Sequence, residues 1–242
     1  MINKIRAAYM KLFTLLLLAA LPAAAAPKYA PADGRTAVPL WSDSAYLKKA
    51  GAPDYWNLSS YYMPQRKGWS VGAAALAMAF NALYSAGRER GDEEENFDPQ
   101  RLVELSSAAS HGMTLAALAG AARDLLAACG LRGEALATEL PDASARSLEI
   151  FRAALAANER GPGDVMLLHF TQDTVTGAPG GPFAHISPVG AYDAKTRRVL
   201  VLDTDRKWYE PYWAADEQVL KALTTVTPKY GRGGFVVIRR AP

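Results

Sequence analysis

Acid–base chemistry needs a titratable side chain with a partner that orients it, and the chain has three histidines from which to choose. His185 leads into the strand-like stretch Ile186 to Tyr192. The turn-like Asp193-Ala194-Lys195-Thr196 follows, then a second strand-like stretch, Val199 to Asp203. If the two stretches pair across a turn centred near residue 194, His185 and Asp203 lie almost opposite one another. A carboxylate held against an imidazole orients the ring and favours its charged form, as a general base and its orienting partner require. A structural or surface pair of the same two residues is as common, so residue types alone leave both readings open. His111 and His169 show no such partner and read as loop and strand-end residues.

A second group lies around residues 65 to 72. The stretch from Gly72 to Leu83 carries Leu76, Phe80 and Leu83 at the spacing of a buried helical stripe among small alanines. The N-terminus of such a helix offers backbone N–H donors and the positive end of a dipole, which lower a thiol pKa and hold a developing oxyanion. The Gln65 amide can add a donor to that oxygen, or be a plain loop residue. Ser70 is the one hydroxyl beside the helix start. One residue of slip there rotates a side chain by about 100°, and Gly72 fixes the register.

The elements that would hold these groups run from helices to strands. Residues 27 to 64, rich in Pro, Tyr and Trp, read as an irregular arm. Further helices are expected over Pro99 to Ser110, over Thr114 to Cys129 with Thr114 as N-cap, and over Ala145 to Asn158. Strands are expected over Val165 to Phe170, through the two stretches above, and over Phe235 to Arg239. Helices first and an antiparallel sheet last is an α+β order without βαβ alternation. The charge run from Arg88 to Glu95 reads as solvated surface.

Three cations (Lys4, Arg6, Lys11), the apolar run Leu12 to Leu21 and the small residues Ala23 to Ala26 have the layout of a secretory signal, with cleavage expected after Ala25. The run is about half the roughly 20 residues a membrane-spanning helix needs, so a stable membrane anchor is not expected. Residues 26–242 then form one domain of an exported protein, periplasmic or extracellular. Losing three cations from 27 Lys and Arg leaves 24 against 24 Asp and Glu. That balance gives no support to nucleic-acid binding. The single cysteine, Cys129, excludes an internal disulfide and a multi-cysteine zinc shell; it reads as a small buried side chain at a helix end. No metal site of the chain's own is expected, and a homodimer is left open.

The segment Gln65-Arg-Lys-Gly-Trp-Ser70-Val71-Gly72-Ala-Ala-Ala-Leu-Ala-Met78-Ala-Phe-Asn81-Ala-Leu83 resembles the phytochelatin synthase pattern Gln-x5-Cys-Gly-x-Ala-Ser-x-x-Met-x-Leu-Asn-x-Leu. Tyr55-Trp56 and Tyr61-Tyr62 fit its aromatic lead-in, and Gly112-Met113-Thr114-Leu115 its Gly-(Met/Leu)-Thr-Leu helix start. His185-Ile186-Ser187-Pro188 is similar to its His-Phe/Ile-Ser-Pro block. Leu202-Asp203 with Arg206-Lys207-Trp208-Tyr209, Pro211 and Trp213 resembles its Leu-Asp-x-x-Arg-Tyr-Lys-Tyr-Pro-Pro-x-Trp block.

The resemblance implies a papain-like α+β fold, an N-terminal helical half packed on a C-terminal antiparallel β-sheet, in the short bacterial form of the family. It also implies a cysteine, histidine and aspartate triad that releases glycine from glutathione through a γ-glutamylcysteinyl-enzyme. Transfer to a second glutathione gives phytochelatins, and several bacterial relatives resemble hydrolases. By position, Gln65 is the oxyanion residue, His185 the general base, Asp203 its orienter and Arg206 a substrate-binding residue near the site. No cofactor is implied, and metal enters as thiolates of glutathione. The nucleophile position holds Val71, and Gln172 falls near where the family often has an arginine. The run Gly180-Gly181-Pro182-Phe183-Ala184 replaces the usual glycines before the histidine. Valine has no lone pair or titratable proton, so covalent acyl transfer from position 71 is excluded. The favoured expectation is a non-catalytic binder of glutathione or γ-glutamyl peptides. The alternatives are an active hydrolase or transferase with an unusual nucleophile, and a protein that kept only the fold for interaction.

Overall fold

The computed structural model describes residues 28–29, 37–68, 70–84, 97–98, 102 and 112–241. Its centre is the strand β3 (Asp164–Thr171), a run with no polar face, because it is covered on both sides. Val165 and Leu167 point to one hydrophobic cluster, Met166, Leu168 and Phe170 to the other, as the two-residue period of a strand requires.

The first cluster lies under two helices, α3 (Val71–Tyr84) and α4 (Leu115–Ala128). Every residue of α3 from Val71 to Leu83 is buried, and its alanines let it lie close on the sheet. Asn81, the one strongly polar residue in that stretch, donates to the Phe97 carbonyl at 2.7 Å and accepts from the Phe97 N–H at 2.8 Å. A buried amide is tolerated when it is matched in this way. Thr114 caps α4 by accepting from the Ala117 N–H, and Cys129 forms its half-buried C-cap.

The second cluster is closed by α5 (Ala145–Asn158) and α7 (Asp216–Thr224). Arg152 on α5 grips Asp216 through two hydrogen bonds of 2.7 and 2.9 Å, and Tyr192 donates to the same carboxylate. Phe80 and Phe151, fully buried on opposite faces, each contribute on the order of 2 kcal/mol through burial.

The seven-stranded sheet runs β1 (Val38–Pro39), β6 (Tyr212–Ala215), β5 (Arg198–Val201), β4 (Ala184–Asp193), β3, β9 (Gly234–Arg240), β2 (Gly133–Thr138), with every neighbouring pair antiparallel. A hairpin of β7 (Val226–Thr227) and β8 (Gly231–Arg232) stands apart from it. The α+β class holds: helices α3 and α4 of the N-terminal half pack on the antiparallel sheet, and α5 and α7 cover its other face. The arm over residues 27 to 64 is less irregular than its composition suggests. It contains β1, a 3-10 turn (Leu40–Ser42), α1 (Ala45–Lys49) and α2 (Pro53–Ser59). The segment expected to be a leader, the charge run from Arg88 to Glu95, His111 and all but Leu102 of the helix expected over Pro99 to Ser110 lie outside the described residues. Among the described residues no helix is long and apolar enough to cross a membrane.

Candidate active site

Three residues set the start of α3. Ser70 turns its hydroxyl inward, accepting from the Arg66 and Lys67 N–H groups at 3.1 Å and donating to the Lys67 carbonyl at 2.9 Å. All of its hydrogen-bonding capacity is spent on the preceding turn, and it does not line the cleft. Gly72 faces the other way: a Cβ there would lie 2.9 Å from Sδ and Cε of Met113 and 3.3 Å from Cδ1 of Ile186. With residue 70 bound to the loop and residue 72 pressed on the sheet, residue 71 is directed at the cleft. Val71 is buried there, one of the cleft-lining side chains.

Across the cleft, β4 brings in His185. The hairpin register is Asp193 with Arg198 and Tyr192 with Val199, but it shifts between Val189 and Ala191. The extra residue is Gly190, where a Cβ would lie 2.9 Å from Leu202; its lack of a side chain permits the bulge. Asp203 therefore lies beyond the end of β5 and is not paired across from His185, as the simple hairpin expectation had it. The side chains meet nonetheless, with His185 Nε2 at 2.8 Å from Asp203 Oδ1.

Asp203 is wholly buried. Its Oδ1 also accepts from the Asp205 N–H at 2.8 Å, and its Oδ2 accepts from Gln172 at 2.9 Å and the Tyr212 hydroxyl at 3.2 Å. Burial pushes the carboxyl up, but the His185 charge and these hydrogen bonds outweigh it and hold the group below its ordinary value. The Tyr62 hydroxyl donates to the Asp203 carbonyl at 2.6 Å; burial, with the Asp203 charge beside it, pushes that phenol up to about 12. His169, one strand over, is neither at the cleft nor paired with a carboxylate. Its Nε2 lies 2.9 Å from the Met113 carbonyl, and burial lowers its pKa.

The cleft has a volume of about 770 Å³. Val71, Gln65 and Gly68 line it from the α3 side, His185 from β4 and Gln172 from just past the end of β3, and Trp208, Tyr209 and Tyr230 supply aromatic surface. Gln65 is anchored by its N–H, which donates to the Thr204 carbonyl at 2.8 Å. Its side-chain Oε1 is buried without a partner. The expected residues thus fall together with one exception: Arg206 is exposed and is not among the cleft-lining residues.

Several residues of the site carry no signal of their own in the sequence. Gln172, read only as a departure from an expected arginine, is a hydrogen-bond partner of the buried aspartate. Tyr212 and Asp205 join it, and Lys229 and Tyr230 reach the cleft from the β7–β8 hairpin. Gly112 gains a reason as well: a Cβ there would lie 2.2 Å from the Tyr230 hydroxyl oxygen, so only glycine lets Tyr230 stand at the rim. Pro182, Phe183 and Ala184 of the Gly180 to Ala184 run form one wall, and the run is tied to the short helix α6 (Gln172–Thr176). The Phe183 N–H donates to Asp173 at 2.7 Å, and Gly181 leaves no room for a side chain beside that carboxylate. Among the described residues no group of three or more His, Cys, Asp or Glu side chains is placed to hold a metal ion.

A helix N-terminus facing a buried histidine–aspartate pair across a cleft has the layout of an acyl-transfer site, here with an aliphatic side chain at the attacking position. The chain belongs to the phytochelatin synthase family, whose family model matches residues 38–235. It is similar to glutathione gamma-glutamylcysteinyltransferase 1 of Triticum aestivum, 27% identical over 230 residues, covering 91% of this chain and 42% of that protein. It is also similar to two Arabidopsis thaliana proteins, glutathione gamma-glutamylcysteinyltransferases 1 and 2. They are 25% identical over 226 and 199 residues, covering 91% and 80% of this chain and 43% and 41% of theirs. The chain thus spans about two-fifths of the length of these relatives.

Proposed function

We propose that this protein binds glutathione or a related γ-glutamyl peptide in its cleft and releases it intact, as a non-catalytic member of its family, after export. The observation that carries this reading is Val71, buried at the N-terminus of α3 and lining the cleft that His185 also lines. A histidine base has nothing to deprotonate at that position. The neighbouring hydroxyl of Ser70 is engaged in three hydrogen bonds away from the cleft, which argues against it as a substitute nucleophile.

The remaining machinery supports ligand binding over a vestigial fold. His185, Asp203 and Gln172 form a connected buried network at the edge of an open cleft. Such a network is costly to assemble and is stable only when each member is matched. Family membership and the names of the similar proteins point to glutathione as the first compound to test.

The test is isothermal titration of the protein with glutathione, with free glycine assayed in the same sample. The reading expects saturable heat and no glycine. Glycine release that depends on His185 would instead show a histidine-activated water at work, and absence of both heat and glycine would leave the fold without this ligand.

A further inference from the structure

The chain as a whole is close to charge balance, with 27 Lys and Arg against 24 Asp and Glu, but the rim of the cleft is not. Arg66 and Lys67 stand exposed between Gln65 and Gly68, both of which line the cleft. Arg206 and Lys207 stand exposed between Asp205 and Trp208, which also line it, and Lys229 lines it from the β7–β8 hairpin. Segments far apart in the sequence thus each bring cations to one opening. The carboxylates beside them are Asp205, at the wall, and Asp173, which already accepts from the Phe183 N–H.

These cations are held in place without being neutralised. Elsewhere arginines are spent on acids: Arg152 on Asp216, Arg198 on Asp43, Arg239 on Glu134 and Asp164. Among the described residues, Arg66, Arg206, Lys207 and Lys229 have no ion pair. Lys207 Nζ lies 5.4 Å from the centre of the Trp208 ring, and Lys229 Nζ 5.0 Å from that of Tyr230. Both rings line the cleft, so an aromatic face keeps each ammonium near the mouth and leaves its charge to be answered. A single exposed ion pair is weak, whereas like charges gathered round a concave opening sum their fields and concentrate ligands of the opposite sign.

We infer that this collar makes the cleft selective for γ-glutamyl peptides with a surplus of carboxylates, so that ligands are ranked by their negative charge. Glutathione, with two carboxylates and one ammonium group, has a surplus of one. A peptide of the same kind with a further carboxylate binds tighter, and one whose carboxylate is masked as an amide binds more weakly. The ligand carboxylates lie near the mouth, opposite Arg66, Lys207 and Lys229. Those side chains remain hydrated, so selection comes through charge rather than a fitted pocket, and it fades as salt screens the collar. This rests on the reading of the cleft as a γ-glutamyl peptide site, and the probes below separate the two.

Titration calorimetry compares γ-glutamyl-cysteinyl-aspartate with γ-glutamyl-cysteinyl-asparagine, which match in shape and differ by one carboxylate. Tricarballylate, which has carboxylates and no γ-glutamyl group, is the third probe. In about 0.02 M NaCl the aspartate peptide should bind the wild type about fivefold tighter or more, and in about 0.5 M NaCl the two should bind alike. Lys207→Gln combined with Lys229→Gln should cut the low-salt ratio to about twofold or less. Equal binding of the two peptides to the wild type at low salt overturns the collar while the peptide-binding reading stands, and this comparison needs no variant. A preference that survives high salt or the double variant also overturns it, because it would come from a fitted contact inside the cleft. Salt-sensitive tricarballylate binding that falls in the double variant, with no peptide binding, supports the collar and removes the γ-glutamyl ligand. No binding by any probe overturns both.

Discussion

Gln172 donates a 2.9 Å hydrogen bond to Oδ2 of Asp203, on the oxygen opposite the one that meets His185. Where an arginine would bring a fixed positive charge to the buried aspartate, the amide brings a neutral hydrogen bond, so the carboxylate is held by Gln172, Tyr212, the Asp205 N–H and His185.

This relationship predicts the effect of Gln172→Leu. The variant keeps the side chain's approximate volume but leaves Oδ2 with the longer Tyr212 bond alone. Hydrogen bonds to charged groups are worth about 1.5–3 kcal/mol. Urea denaturation should show a loss of that order. An unchanged midpoint would mean that Tyr212 alone satisfies the carboxylate.

Asp54 predicts a pH dependence of stability unrelated to the cleft. It is buried on α2, hydrogen-bonded by Asn158, with Oδ1 unpartnered, and burial aided by the charges of Glu159 and Asp164 pushes its carboxyl up to about 9. The folded protein thus holds a proton there that the unfolded chain releases near pH 4. The stabilising contribution of this group is complete below about pH 4. It declines as pH rises and is exhausted above about 9. Asp54→Asn should flatten the fall in denaturation midpoint between pH 5 and pH 9. The same slope in variant and wild type would assign it to other groups.

Close backbone approach predicts a contrast between two glycines. A Cβ at Gly233 would lie 1.9 Å from the carbonyl oxygen of His169, a backbone atom that cannot swing aside, whereas Gly161 has nothing within 4 Å. Gly233→Ala should destabilise by about 3 kcal/mol or more, in the range of severe overpacking. Gly161→Ala should stay within about 1 kcal/mol of the wild type. Thermal melts of the two variants distinguish these outcomes, and equal melting points would contradict the packing described.

The long helices and the buried strands were legible because their signals are local. α5 spans Ala145–Asn158 as its apolar spacing predicts, and β3 follows from an apolar run too short for a helix. The β2 strand was not legible: Gly133–Thr138 is a sheet edge with one buried residue and a single β-branched one, so neither alternation nor propensity marks it. The His185–Asp203 pair was found by counting from a turn, yet the count was right for an incomplete reason. The Gly190 bulge moves the register, and the side chains meet diagonally. Gln172, Asp205 and Tyr230 come from three separate segments and converge only in the folded chain, which no local spacing can reveal. The Gly112 requirement likewise depends on Tyr230, more than a hundred residues away.

The central claim is that Val71 alone separates a binding cleft from a working acyl-transfer site. Its most direct test is release of glycine from glutathione by the wild type beside Val71→Cys, in which a thiol at the start of α3 would face His185. The account predicts no release by the wild type and clear, alkylation-sensitive release by the variant. Turnover by the wild type would contradict it.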